Sequence, residues 1–334
     1  MWTNPGEIEN GEDDDNNGVV DDIHGIKVDK GEVSGDPNDT NGHGTGVAGI
    51  IGAVGNNAKG TVGVAWQVQI MACKYPGLQV GYVADAIACI SYAIDKGAHI
   101  MNASWFVVPG YSPYSLDVAI RTGGNHGIIF VAAAGNFSLN NDLDQLFTVY
   151  PASYKHDNII SVAATTKDDD LTSYSNTGLV RVDLAAPGGE NDILTTDNAS
   201  DSAYTDVFEG TSAAAPHVAG VLALMKAQYP HDSYLQLINR LLSSVDPLQA
   251  LAGKCPVVTD LGAPIADGDM VMRWITEDYS HYAYRNGLWI GDNGDEASEP
   301  VISIGESIWL VKPADWYHEH GLAKRGKNGR LVSR

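Results

Sequence analysis

Positive charge is scarce in this sequence. Twenty Lys and Arg stand against 42 Asp and Glu, a formal charge of −22. So acidic a chain repels phosphate backbones and anionic headgroups, which argues against nucleic acid and membrane surfaces as partners. Cysteine is rare as well. Cys73, Cys89 and Cys255 cannot all pair with one another and lack metal-ligand spacing, so they read as small apolar residues. No apolar run reaches the roughly 20 residues of a membrane-spanning helix. No charged leader with an apolar stretch comes before Met1-Trp2-Thr3-Asn4-Pro5, which is already polar and turn-like. Internal repeats are missing too. What remains is a chain of 334 residues with 44% hydrophobic content, enough for a large catalytic-sized domain and an appendage.

Residues 1–42 are crowded with Asp, Asn, Glu and Gly and read as an acidic loop region. Within them Asp13, Asp15, Asn17 and Asp21 fall at alternate positions around Gly18, as in the first nine positions of a calcium loop. His24 stands where the closing glutamate belongs, so a structural Ca²⁺ site and a solvated acidic loop both remain open. From 43 to 250 apolar spacing alternates between strand and helix. Helices are predicted over about 43–53, 83–94 and 113–126, and strands near 68–73, 99–103, 128–133, 158–163 and 180–186. This order predicts an α/β fold, a parallel sheet with helices on both faces, whose site lies at the carboxyl ends of the strands. Residues 251–323 change style, with aromatic clusters broken by Gly, Asp and Pro, and read as a small β-rich appendage. Residues 324–334 read as a disordered basic tail.

Three stretches carry chemistry. In Gly210-Thr211-Ser212-Ala213-Ala214-Ala215-Pro216, a serine opens an apolar helix, where free N–H groups and the helix dipole favour a developing oxyanion. By itself this could be an ordinary N-cap serine. In His43-Gly44-Thr45-Gly46, a histidine opens a helix of small residues and is suited to act as a general base. In Ala132-Ala133-Ala134-Gly135-Asn136, a strand ends in a carboxamide able to donate to an oxyanion. Taken together they closely resemble the subtilisin-like serine proteases, the subtilases of peptidase family S8. The resemblance extends to Ser104-Trp105 after a strand end and to Leu184-Ala185-Ala186-Pro187-Gly188, and covers roughly residues 1–245. It implies a serine endopeptidase acting on polypeptides through an acyl-enzyme, with Ser212 as nucleophile, His43 as general base and Asn136 as oxyanion donor. It also implies that Ser104, Trp105, Phe106, Ala134 and Gly135 flank the substrate, and that the protein works outside the cell. An α/β-hydrolase elbow is excluded because Ala214 stands at its last glycine. The sedolisin-type peptidases share Gly-Thr-Ser but have no need of a His-Gly-Thr helix.

Two departures from the resemblance bear on activity. Subtilases order their triad Asp, His, Ser. Nothing upstream of His43 resembles an apolar strand ending in aspartate, so the chain is expected to start downstream of that acid and to lack a central strand. Asp13, Asp15, Asp21, Asp22, Asp36 and Asp39 are carboxylates in polar loop sequence. In subtilisin itself, loss of the acid alone lowers kcat by about 3 × 10⁴. Weak or absent hydrolysis is therefore expected, and a catalytically impaired pseudoprotease or binding scaffold is the alternative. A third reading, an acidic Ca²⁺-binding adhesion module, leaves the catalytic motifs unexplained. The second departure is Phe106, where the resemblance implies glycine, and it predicts a narrowed pocket.

Overall fold

A computed structural model describes residues 1–75, 83–107, 110–143, 148–246, 248, 251 and, beyond these, the residues of short strands from 270 onward. The chain divides into two units. The first comprises Met1–Leu242 and Pro247–Pro256, the second Ser243–Asp246 and Val257–Arg334.

In the first unit the predicted alternation is realised. Helices α1 (His43–Gly52), α2 (Val83–Asp95), α3 (Tyr114–Asn125), α4 (Thr211–Gln228) and α5 (Tyr234–Leu242) accompany a parallel sheet. Strands β4 (Ile100–Ala103), β5 (Ile129–Ala133), β6 (Ile159–Thr165) and β7 (Leu184–Pro187) pair in that order, all parallel. Every residue of β5 and β6 is buried. Continuous apolar runs of this kind are what a sheet covered on both faces requires. Phe130 and Ala132 cluster with Ile90 of α2 and with Leu116 and Ile120 of α3. The alternate residues of β5, Val131 and Ala133, point the opposite way, toward α4, which packs across β4 to β7. α4 also packs against α1, so Ala213, Ala214, Ala215, Val218, Ala219 and Leu222 are all buried. Its partner α5 is amphipathic and buries Leu237, Ile238 and Leu241.

Two strands lie within residues 1–42, which read as loop in the sequence. β1 (Gly25–Asp29) pairs antiparallel with β2 (Glu32–Ser34) and parallel with β3 (Ala72–Lys74). Only Ile26 and Val28 carry the apolar signal of β1, and the surrounding Asp and Gly mask it. At Gly25, with φ +130°, a Cβ would lie 1.9 Å from the Ala72 carbonyl oxygen, so only glycine permits this close pairing. The strand predicted from 68 begins only at Ala72. Before it, Val68 packs at Gly52 of α1, and the Ile70 carbonyl accepts from the Trp2 N–H.

The acidic segment is anchored to α2. Asp22 is fully buried and accepts from Asn4 Nδ2 at 2.7 Å, Asn17 Nδ2 at 2.8 Å and the Tyr92 hydroxyl at 2.6 Å. Lys96, just past α2, pairs with Asp15 and lies 3.6 Å from Asp22. Cys73 and Cys89 belong to the same apolar cluster as Ile26 and Val28, while Cys255 lies outside the described residues. Strands β8 (Ile193–Thr196) and β9 (Tyr204–Phe208) form a hairpin beside α1.

In the second unit, β10 (Met270–Ile275), β11 (Asp278–Arg285), β12 (Leu288–Ile290), β13 (Glu296–Ala297) and β14 (Ile308–Val311) form an antiparallel sheet. Within the segment read as a basic tail, β16 (Leu331–Ser333) pairs antiparallel with β15 (Ala323–Arg325). This pairing gives its backbone groups the partners that a free tail would take from water. Among the described residues, no helix is long and apolar enough to cross a membrane.

Candidate active site

α4 begins at Gly210, whose φ of 112° and ψ of 169° lie outside the range of L side chains. The Tyr174 hydroxyl receives the Gly210 N–H at 3.0 Å and donates to the Gly189 carbonyl at 2.6 Å, fixing the approach to the helix. Ser212 follows in the first turn, where helix N–H groups have no intrahelical acceptor. Proline at 216 removes the N–H that would otherwise bond to the Ser212 carbonyl four residues earlier. That carbonyl instead accepts the Ser104 hydroxyl at 2.8 Å, and Ser212 Oγ donates to the Ser104 carbonyl at 3.3 Å. The helix start is thereby stitched to the carboxyl end of β4. Asn102 Nδ2 in turn donates to Ser104 Oγ at 2.9 Å.

Asn136 follows β5. Its Oδ1 accepts from the Thr211 N–H at 2.9 Å and the Thr211 hydroxyl at 2.7 Å. The same hydroxyl receives the Gly135 N–H at 3.2 Å. With Oδ1 doubly held, Nδ2 turns outward beside Gly210 and Ser212 and makes no hydrogen bond among the described residues. Its place is marked by Gly210, where a Cβ would lie 3.2 Å from Asn136 Nδ2 and 3.5 Å from the Ser212 nitrogen. Asn141 and Asn176 both donate to the Ala134 carbonyl, which fixes the backbone just before Asn136. A hydroxyl and a free amide donor side by side at a helix start can attack a carbonyl and bind the oxyanion that forms.

His43 opens α1, and its imidazole packs against Phe208 with centroids 5.6 Å apart. Thr195 and Thr196 of β8 donate to the Gly46 and Thr45 carbonyls at 2.6 and 2.7 Å, clamping α1 to the hairpin. The small residues serve this approach. A Cβ at Gly46 would reach within 2.8 Å of the Phe208 ring, and one at Gly49 within 2.2 Å of Thr196 Oγ1. Asp39 accepts from the Thr45 N–H at 2.9 Å and the Thr45 hydroxyl at 2.8 Å, so its carboxylate braces the first turn of α1. Burial opposes charge on Asp39, but the N–H groups of Asn41 and Thr45 and the Thr45 hydroxyl together hold its carboxyl below the usual value. Burial lowers the His43 imidazole below its ordinary value of 6.5, and the nearby Asp39 charge partly offsets this. No carboxylate hydrogen-bonds the His43 ring among the described residues. Nor does the ring bond to Ser212 Oγ, which is engaged by Ser104.

The remaining residues expected to flank substrate divide. Phe106 packs edge-to-face on Phe137 with centroids 5.1 Å apart, next to Asn136. Trp105 turns instead into the core against Phe130 and Tyr75. Ala134 is fully buried, and Gly135 has φ +112° with Asn176 against it.

In the acidic segment, the carboxylates brought together are Glu7, Asp13 and Asp15, with ligand atoms all within 4.8 Å of one another. Asp21 points elsewhere and accepts the N–H groups of Asn10 and Gly11 at 2.9 and 3.0 Å. Asn17 Oδ1 accepts the Val19 N–H at 2.7 Å. Glu7, which the loop spacing gave no reason to include, supplies a carboxylate from upstream. Its Oε2 is buried without a hydrogen-bond partner among the described residues. The bracing roles of Thr211, Tyr174 and Phe208 were likewise illegible from spacing, although Thr211 lies within the Gly-Thr-Ser motif.

The sequence profile of the Subtilase family (Peptidase_S8) matches residues 9–264. Subtilisin-like protease 1 of Plasmodium vivax is 34% identical over 261 residues, covering 72% of this chain and 39% of that protein. The thermophilic serine proteinase of Bacillus sp. strain AK1 is 40% identical over 194 residues, covering 58% of this chain and 44% of that protein. The chain thus spans less than half the length of these relatives. Among solved structures, a cold-adapted subtilisin-like serine proteinase aligns with TM-score 0.54 and 30% identity, over 66% of this chain and 74% of that one.

Proposed function

The chain belongs to the subtilase family, and from that premise we propose that it is a serine endopeptidase with Ser212 as its nucleophile. The observation that carries this is the Thr211 clamp on Asn136, which leaves Nδ2 free beside Ser212 at the start of α4. Ser212 Oγ attacks the scissile carbonyl while His43 takes its proton. The oxyanion accepts from Asn136 Nδ2 and from the Ser212 N–H. His43 then protonates the departing amine, leaving an acyl group on Ser212. Water, deprotonated by His43, displaces that acyl group and regenerates the hydroxyl. Polypeptide substrate lies along Ser104–Phe106 and Ala134–Gly135, and the Phe106–Phe137 pair favours small side chains before the scissile bond.

The carboxylate that orients the base is the weak point. Asp39 acts on His43 only through space, since Thr45 and Asn41 occupy its oxygens. By itself the chain hydrolyses peptides feebly, because a base without its carboxylate loses about four orders of magnitude in kcat, as measured in subtilisin. The same observation favours the second reading, an impaired protease retained as a binding scaffold. Labelling with a fluorophosphonate probe, read by intact mass, separates the two. A single adduct absent from Ser212→Ala supports the protease, whereas no adduct at high probe concentration supports the scaffold.

Glu7, Asp13 and Asp15 would hold Ca²⁺, which would neutralise their mutual repulsion and tie residues 7–15 together. An extracellular setting, where calcium is plentiful, suits such a site and the family's usual export.

A further inference from the structure

Asn136 is held from two directions. Thr211 grips its side chain, and the backbone on either side of it is gripped by Asn176, a fully buried residue between β6 and β7. The Asn176 N–H donates to the Gly135 carbonyl at 2.8 Å, and its Nδ2 to the Ala134 carbonyl at 3.2 Å. Its Oδ1 accepts the N–H groups of Phe137 at 2.9 Å and Leu139 at 3.1 Å. Nδ2 also donates to Asn141 Oδ1 at 3.0 Å, and Asn141 Nδ2 returns to the Ala134 carbonyl at 3.0 Å. A primary amide has two hydrogens to give and two lone pairs to offer, and here all are taken. Turned over, it would set Nδ2 against two N–H groups and Oδ1 against the Ala134 carbonyl, so one orientation alone is allowed. Asn176 is itself moored to the sheet. Ser175 Oγ accepts the Ala164 N–H of β6 at 2.9 Å and donates to the Asn176 carbonyl at 3.0 Å.

We propose that Asn176 is a positioning residue for the oxyanion donor, setting the backbone turn at Asn136 as Thr211 sets its side chain. Every hydrogen bond of the Asn176 side chain ends within residues 134–141, on both sides of Asn136. The contact is close as well as well bonded. At Gly135, with φ +112°, a Cβ would lie 2.5 Å from Asn176 Nδ2, so only glycine lets the turn settle on this amide. Asn136 has no second anchor of its own, since its side chain bonds only to Thr211 among the described residues. If the turn slides, Nδ2 moves with it, and a misplacement of about 1 Å can cost about 100-fold in rate. The Phe137 N–H is among the groups held, so the same grip sets the ring that packs on Phe106. The consequence for rate rests on the reading of Ser212 and Asn136 given above; the grip on the turn does not.

The test uses the full chain and an alkyl fluorophosphonate, whose phosphoryl oxygen takes the oxyanion's place as Ser212 Oγ displaces fluoride. Labelling rates are read by intact mass for the unaltered chain, Asn176→Ala, Asn136→Ala and the double variant. Asn176→Ala should lower the limiting rate about tenfold or more and leave the half-saturating probe concentration within about twofold. In the Asn136→Ala background it should slow labelling by no more than about twofold, because no donor is left to position. Equal slowing in both backgrounds, or none in either, would overturn the proposal. Should Asn176→Ala fail to fold, Asn176→Asp, which keeps an acceptor for both N–H groups, takes its place in the cycle under the same criterion. Hydrogen exchange supplies a measure that needs no activity. With Asn176→Ala the Phe137 and Leu139 amides should exchange about tenfold faster or more, with β5 and β6 unchanged. Unchanged exchange at the turn, or acceleration spread through β5 and β6, would overturn the grip. If the unaltered chain takes no adduct, the catalytic reading falls, and the exchange pattern alone decides whether Asn176 fixes the turn.

Discussion

Thr211 shows how much of a site can depend on a residue that performs no chemistry. Its hydroxyl accepts the Gly135 N–H and donates to Asn136 Oδ1, so it fixes which way the carboxamide faces. Truncating Asn136 to Ala should lower kcat about 10²- to 10³-fold, a range established on a subtilisin. Thr211→Val keeps the N–H contact and should cost less, about tenfold in kcat with KM unchanged, as steady-state kinetics would show. His43 yields a pH prediction. Its imidazole titrates below 6.5, burial being the larger cause and the Asp39 charge an opposing one. The basic form therefore persists below pH 6.5, and Asp39→Asn should move the acidic limb of kcat/KM further down. A limb that stays in place or moves up would show that Asp39 exerts no field on the base. The same depression means that stability linked to His43 is fully present above 6.5 and is lost as pH falls below it.

The helices and the central strands were the most legible elements. α1 to α4 follow apolar spacing and end at recognisable signals, such as Gly97 in a left-handed turn (φ +73°) just past α2. β1 was not legible, because two apolar residues between Asp and Gly make no pattern and its partners lie far along the chain. The Glu7–Asp13–Asp15 cluster was half legible for a similar reason, since loop spacing reports on local ligands alone. β7 is preceded by the half-buried carboxyl of Asp183. Asp183 accepts the Ser161 N–H at 2.7 Å, yet burial raises its pKa to about 6. Because the folded pKa is the higher one, the cost of ionising it grows as pH rises from 3.8 toward 6, and reaches about 3 kcal/mol at most. Asp183→Asn should therefore raise the thermal midpoint at pH 7 and leave it nearly unchanged at pH 4. Calorimetry at the two values would check this, and equal shifts at both would contradict it.

For the whole molecule, excess negative charge is the governing quantity. A formal charge of −22 sets the compact state against its own repulsion, and the acidic segment concentrates that burden near Asp15 and Asp22. Lys96 and the Tyr92 hydroxyl already meet part of it. Added Ca²⁺ should raise the thermal midpoint, and a chelator should lower it. Glu7→Gln should abolish most of the response if Glu7, Asp13 and Asp15 are the ligands; an unchanged response would place the metal elsewhere. The position of α2 bears on the stability of the whole unit. Since, among the described residues, no strand of the β1–β3 sheet hydrogen-bonds a strand of the β4–β7 sheet, the cooperativity of these two halves leans on α2, a helix of 13 residues, together with the Tyr75–Trp105 contact. In melting, α2 acts as the coupling term: while it holds, both halves unfold in a single transition. Once it frays, the pair β1 and β3 becomes a separate unit of low stability, and the acidic segment hung on Tyr92 and Lys96 loosens with it.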